Sequence, residues 1–267
     1  MDKSTFAGIF LAVAGILAGL ILEGGKIAQI LQPTAAMIVF GGTLGAVMIQ
    51  FPMSIVWDAV KGLAHVFFDK GADSQQLIKD LVGYANRARK EGIVSLDSEL
   101  ASIKESFLQK SLMLAVDGTE PTELRSIMEV ELDNLDEHAE RVAQVFESAG
   151  GFSPTIGIIG AVLGLIQVMQ HLENISEVGR GIAVAFVATV YGVGAANILF
   201  LPWAGKLKIK LRQEQALREM TLEGVVSILE GMNPRMLETK LSGYLREKKS
   251  GDQNARGVSS ESEPVGA

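Results

Sequence analysis

Four stretches of this chain, residues 5–22, 34–56, 152–172 and 181–204, contain no Asp, Glu, Lys or Arg. About 20 helical residues at 1.5 Å each cross the hydrocarbon of a bilayer, and each stretch is of that order. Backbone groups in lipid must be satisfied within their own segment, so the runs are expected to be helices. The composition fits: 48% of the 267 residues are hydrophobic and only 6% are aromatic, a membrane balance rather than a soluble one. The first run follows a head of only Met1-Asp2-Lys3. Glu23-Gly24-Gly25-Lys26 after it lacks a small-x-small cleavage pattern, so it reads as a retained span rather than a signal peptide. Pro33 suits the start of the second helix, and Pro52 either stops that helix or kinks it.

Several function classes drop out. The chain has no cysteine, hence no disulfide and no thiolate metal site, and His65, His138 and His171 lie too far apart to share a metal. No cofactor and no enzymatic constellation is expected. A net charge of −7 without a broad basic face argues against nucleic acid.

Flanking charge sets the orientation. Lys206, Lys208, Lys210 and Arg212 follow the fourth run, whereas the connection 173–180 carries Glu173, Glu177 and Arg180, and 23–33 carries Glu23 and Lys26. Both termini and the segment between spans two and three are then cytoplasmic. The expected fold is an all-α membrane protein. Spans 1 and 2 lie in residues 1–56, a cytoplasmic helical domain in 57–150, spans 3 and 4 in 151–204, a cytoplasmic C-terminal helix in 205–247, and a disordered polar tail in 248–267. Within the cytoplasmic domain, Leu77, Ile78, Leu81, Tyr84, Ala85 and Ala88 recur at helical spacing over 74–91, with Asp73 or Ser74 as cap and Gly92 as stop. A second helix fits 98–116. After the turn Asp117-Gly118, Thr119 is a candidate cap and Pro121 opens a long acidic helix that runs into the third span. The alternation in KLKIKLRQ taken alone favours a strand. It continues a membrane helix into a segment where Leu217, Met220, Val225, Ile228 and Leu229 keep helical spacing, so it is assigned to a helix.

Every span carries small residues: Gly8, Ala12, Gly15 and Gly19; Gly41 and Gly45; Gly157, Gly160, Ala161 and Gly164; Ala185, Ala188, Thr189, Gly192 and Ala196. In lipid, close backbone approach is a main source of packing energy, so these faces read as helix-packing surfaces. Gly157, Gly160 and Gly164 also suit a smooth bearing surface. Pro154 near the start of the third span and Pro202 near the end of the fourth are expected at a similar depth. There they form hinges if the helices continue through them, and mere boundaries if not. An ion pathway usually declares itself by an intramembrane ionisable group, and here only His171 stands at an outer edge. Thr189, Gln167, Gln170 and Asn197 offer polar atoms, which more often bond between helices than bind ligands. Any ion-carrying carboxylate must therefore come from a partner.

The segments ARKEGIVSLDSEL (88–100), GFSPTIGIIGAVLGLI (151–166), GIAVAFVATVYGVGAANILFLPWAGKL (181–207) and EGMNPRMLETKL (230–241) resemble, in order and spacing, the MotA/PomA stator subunits of the bacterial flagellar motor. The resemblance covers residues 1–245. It implies a homopentamer in the inner membrane around two copies of a MotB-type, single-span, peptidoglycan-binding protein that supplies the ion-binding aspartate. Ion flow would turn the ring against the rotor switch protein FliG. It assigns ion coupling to Pro154 and Pro202, with Thr189 and Ala161 lining the ion pathway. It assigns rotor contact to Arg89 and Asp97, the latter an Asp where the family has Glu, with Lys90, Glu91 and Glu99 sharing that work. Ala161 stands where sodium-driven relatives carry a second threonine, and a methyl group cannot replace an oxygen ligand, so the translocated ion is expected to be a proton. Three rivals remain: a TolQ/ExbB-type energising subunit with three spans, a defence motor with a longer tail, and a self-sufficient channel.

Overall fold

The computed structural model describes residues 3–68 and 74–243; the tail from Lys248 and the candidate cap Asp73 lie outside them. Among the described residues every regular element is helical. The principal helices are α1 (Lys3–Leu22), α2 (Pro33–Gln50), α3 (Met53–Phe68), α4 (Ser74–Glu91), α5 (Ser106–Val116), α6 (Pro121–Gln170) and α7 (Ile175–Leu229). Of these, α1, α2, α6 and α7 are long and apolar enough to cross a membrane. Among the described residues the chain forms two compact units, 3–68 with 137–211 and 74–136 with 212–243.

In the first unit, proline placement explains the helix limits. Pro33 opens α2, where its missing N–H costs nothing. Pro52 stops α2 rather than kinking it: the helix ends at Gln50, and the Pro52 carbonyl then accepts from the N–H groups of Ile55 and Val56 to start α3. The apolar run 34–56 is therefore divided between two helices. Pro154 and Pro202 mark no boundary. Pro154 lies inside the 50 residues of α6. Pro202 lies inside α7, directly after a π-turn at Ala195–Phe200. A π-turn shifts the hydrogen-bond register by one residue, a natural accommodation for a proline that cannot donate. The alternating stretch KLKIKLRQ is helical, as expected. Near the charged end of this unit, Lys208 of α7 bonds Glu147 of α6 at 2.7 Å, and Val142, Val145, Phe146, Ala204 and Leu207 pack there with Ile55, Val56 and Ala59 of α3.

The second unit has a core of large side chains. Ile78, Leu81 and Ala85 of α4 meet Phe107, Leu108 and Leu112 of α5, Leu124 and Met128 of α6, and Met220, Val225 and Ile228 of α7. Two expected helices are interrupted. The segment 98–116 breaks at residues 101–105, because the Glu105 carboxylate accepts from the Phe107 and Leu108 N–H groups and caps α5 there. The segment 205–247 is not one helix. It stops at Leu229, where the Met232 N–H closes back on the Ser227 carbonyl around Gly231, and restarts as a helix over 234–243 with Asn233 accepting from the Arg235 N–H.

Candidate functional site

Within the first unit, α6 and α7 approach so closely that their seam leaves no room for side chains. A Cβ atom on Gly157 would lie 2.9 Å from the Ala188 carbonyl oxygen, and one on Gly164 2.7 Å from that of Gly181. On Gly160 it would meet the Ala188 Cβ at 2.7 Å, and on Gly192 the Ser153 carbonyl oxygen at 2.5 Å. Ser153, fully buried, donates its Oγ to the Gly192 carbonyl at 3.0 Å, a polar rivet in the seam. Ala35 and Val39 of α2 close over Val187 and Ala188, and Gly42 faces Ile156. Gly157, Gly160 and Gly164 are thus occupied inside one chain, so the bearing surface expected of them is not theirs. By contrast, Gly8, Gly15 and Gly19 of α1, and Gly41 and Gly45 of α2, have open space where a Cβ would stand.

The antiparallel register also corrects the depth of the prolines. Gly192 faces Pro154, whereas Leu201, next to Pro202, faces Gly150. Pro202 therefore stands about two turns, roughly 10 Å, beyond Pro154 along the pair. Thr189 and Ala161 are half-buried at the edge of the seam. The Thr189 hydroxyl donates to the Ala185 carbonyl at 3.2 Å, which leaves its lone pairs available as acceptors. Its Cα is 3.5 Å from where a Gly157 Cβ would be, one turn from Ala161.

Tyr191 was not singled out by sequence reasoning. Its hydroxyl donates to the Ile30 carbonyl at 2.5 Å and accepts from the Gln32 N–H at 3.3 Å, fastening the approach to α2 onto α7. A lone phenol in the charge-free run 181–204 was the available signal, since a buried tyrosine hydroxyl needs a partner.

In the second unit, α4 ends in charge. Arg89, Lys90 and Asp97 are exposed and make no side-chain bond among the described residues, and the structure brings Arg89 and Asp97 to the two ends of one turn. Glu99 is different: it is bonded to Arg87, and Glu91 accepts from Arg87 at 3.3 Å. Both of these acids are already engaged inside the chain. The bonds from Glu99 and then Glu91 raise the Arg87 pKa above its ordinary value.

Residues 6–92 match the Motility protein A N-terminal family, and residues 99–220 match the MotA/TolQ/ExbB proton channel family. Motility protein A of Bacillus subtilis is 38% identical over 93% of this chain and 92% of its own length. The chain belongs to the MotA/TolQ/ExbB proton channel family. Chemotaxis protein PomA of Vibrio alginolyticus, 31% identical, aligns over 93% of this chain and 97% of its own. The solved structure of C. jejuni MotAB matches with a TM-score of 0.85 at 36% identity, covering 91% of this chain and 96% of that one. The flagellar MotAB stator complex of Bacillus subtilis matches at 0.84 and 35%, covering 94% and 99%. Membership of this family makes the chain a multi-pass membrane subunit of an ion-driven assembly rather than an enzyme. Among the described residues four helices are long and apolar enough to cross a membrane.

Proposed function

We propose that five copies of this chain form a ring in the bacterial inner membrane, with both termini cytoplasmic, around two copies of a MotB-type single-span protein. Ions crossing at that partner's aspartate turn the ring against FliG. The chain is a flagellar stator subunit, similar over nearly its whole length to motility proteins and to MotAB stator complexes. The observation that carries the mechanism is the absence of Asp, Glu, Lys and Arg from the four apolar runs of a proton-channel family member. The titrating acid therefore arrives on another helix. One charge falling through 100 mV releases about 2.3 kcal/mol, and the ring converts it if its two arrangements contact the loaded and unloaded acid differently.

Pro154 and the π-turn before Pro202 each free backbone carbonyls inside continuous helices, and these two polar, yielding points suit a part that moves. Thr189 offers acceptor lone pairs, while Ala161 offers only a methyl group, which favours a proton over sodium. The test is motility of a strain lacking its own subunit, supplied with this chain and a MotB-type partner. Swimming without sodium, abolished by collapsing the proton gradient, is the expected result. Swimming that requires sodium overturns the ion assignment, and no swimming with any stator partner overturns the function.

A further inference from the structure

We propose that Arg87 and Glu99 are positioning residues: their mutual bond closes the turn after α4 and holds Arg89 and Asp97 at a set spacing for a partner surface that offers the opposite charges. The inference rests on the reading of Arg89 and Asp97 as rotor contacts. Bonded and unbonded charges alternate here. On α4, Arg87 and Glu91 are engaged with each other while Arg89 between them is not; after the turn, Asp97 is unbonded and Glu99 is engaged. The chain reverses at Gly92, whose φ of +87° suits a residue without a side chain.

Three further features tie down the return. Leu96 is fully buried in the core, Ser95 Oγ donates to the Gly92 carbonyl at 2.7 Å, and Ser102 Oγ donates to the Glu99 carbonyl at 2.7 Å. Leu96 anchors the short 3-10 turn Ile93–Leu96, and Leu100, packed against the same core with its carbonyl accepting from Gln109 Nε2 at 2.9 Å, anchors the residues after it. The bond from Arg87 to Glu99 adds a tie from α4 across the turn, and Asp97 lies between Leu96 and Glu99. A guanidinium suits this because its planar fork reaches Glu91 and Glu99 at once, which an ammonium on a flexible stem does less well. Both side chains are about one-third exposed, at 37% and 33%, so the pair adds little to overall stability and its consequence is orientation.

The test uses the full chain with its MotB-type partner in a strain lacking its own subunit, comparing Arg87→Glu, Glu99→Arg and the double exchange. Each single variant is expected to cut torque several-fold at unchanged membrane level. In the purified complex each is expected to speed amide exchange of residues 93–100 several-fold. The double variant restores most of both, the remainder being the repulsion of Glu91 by the new neighbouring carboxylate. Unchanged torque in either single variant overturns the proposal. So does a double variant as impaired as the singles, the result expected if each charge touched the rotor itself. Should a reversal lower the membrane level, Arg87→Gln and Glu99→Gln are compared instead, with the same outcomes for torque and exchange. Unchanged torque in Arg89→Ala with Asp97→Ala overturns the rotor reading separately, while the exchange data still report on the clasp.

Discussion

Helix α6 passes through two kinds of packing along its own length. Its early turns place Leu124, Met128 and Leu132 in a core of large side chains; its later turns place Gly157, Gly160 and Gly164 against the backbone of α7. Burying large apolar groups stabilises only where water is the alternative. In lipid that gain disappears and backbone proximity takes over. Ion pairs follow the same division. The second unit is laced by Arg87–Glu99, Lys110–Glu131 and Arg125–Glu223, and Lys208–Glu147 ties α6 to α7 at the charged end of the first, whereas the glycine seam between those two helices is joined by the Ser153 hydroxyl bond.

The comparison breaks most easily at the seam. Gly164→Leu drives a side chain into the Gly181 carbonyl and is expected to remove the complex from the membrane, measured as subunit recovered with its partner. Gly205→Leu, with open space at its Cβ, leaves recovery intact. In the second unit, Leu81→Ala empties a fully buried site and lowers stability by about 2–5 kcal/mol, read as thermal unfolding of the solubilised protein.

A smaller effect falls on Glu223. Burial raises its pKa, but the bonds from Lys240 and Arg125 outweigh burial and bring it below the ordinary carboxylate value. A depressed carboxylate contributes stability that is present above its unfolded pKa and is lost as pH falls through the folded one. Acid therefore loosens the second unit, and Glu223→Gln costs about 1–2 kcal/mol at neutral pH while flattening that acid dependence. Ser153→Ala is expected to cost least, about 0.6 kcal/mol, the mean for a hydrogen bond between membrane helices.

How much of this was legible follows the same physics. Periodicity and charge-free length exposed the spans, α4, and the continuity of α6, because each is a repeated local signal. The break before α5 was hidden because its cap is Glu105, a residue type uncommon in that role, and the π-turn before Pro202 has no sequence pattern of its own. In the site, the glycines could be named but not the surface they face. Whether Gly160 meets Ala188 of the same chain or another copy depends on register, which nothing local encodes. Likewise Arg87 and Arg89 stand two residues apart with the same side chain, and only the return of Glu99 across the Gly92 turn separates the bonded one from the unbonded one.

The most direct measurement is proton flux in vesicles holding this chain alone, the chain with its single-span partner, and the chain with a partner whose membrane aspartate is changed to asparagine. Flux is expected in the second case only. Proton conduction by the isolated chain would contradict the central claim that the titrating acid belongs to another polypeptide.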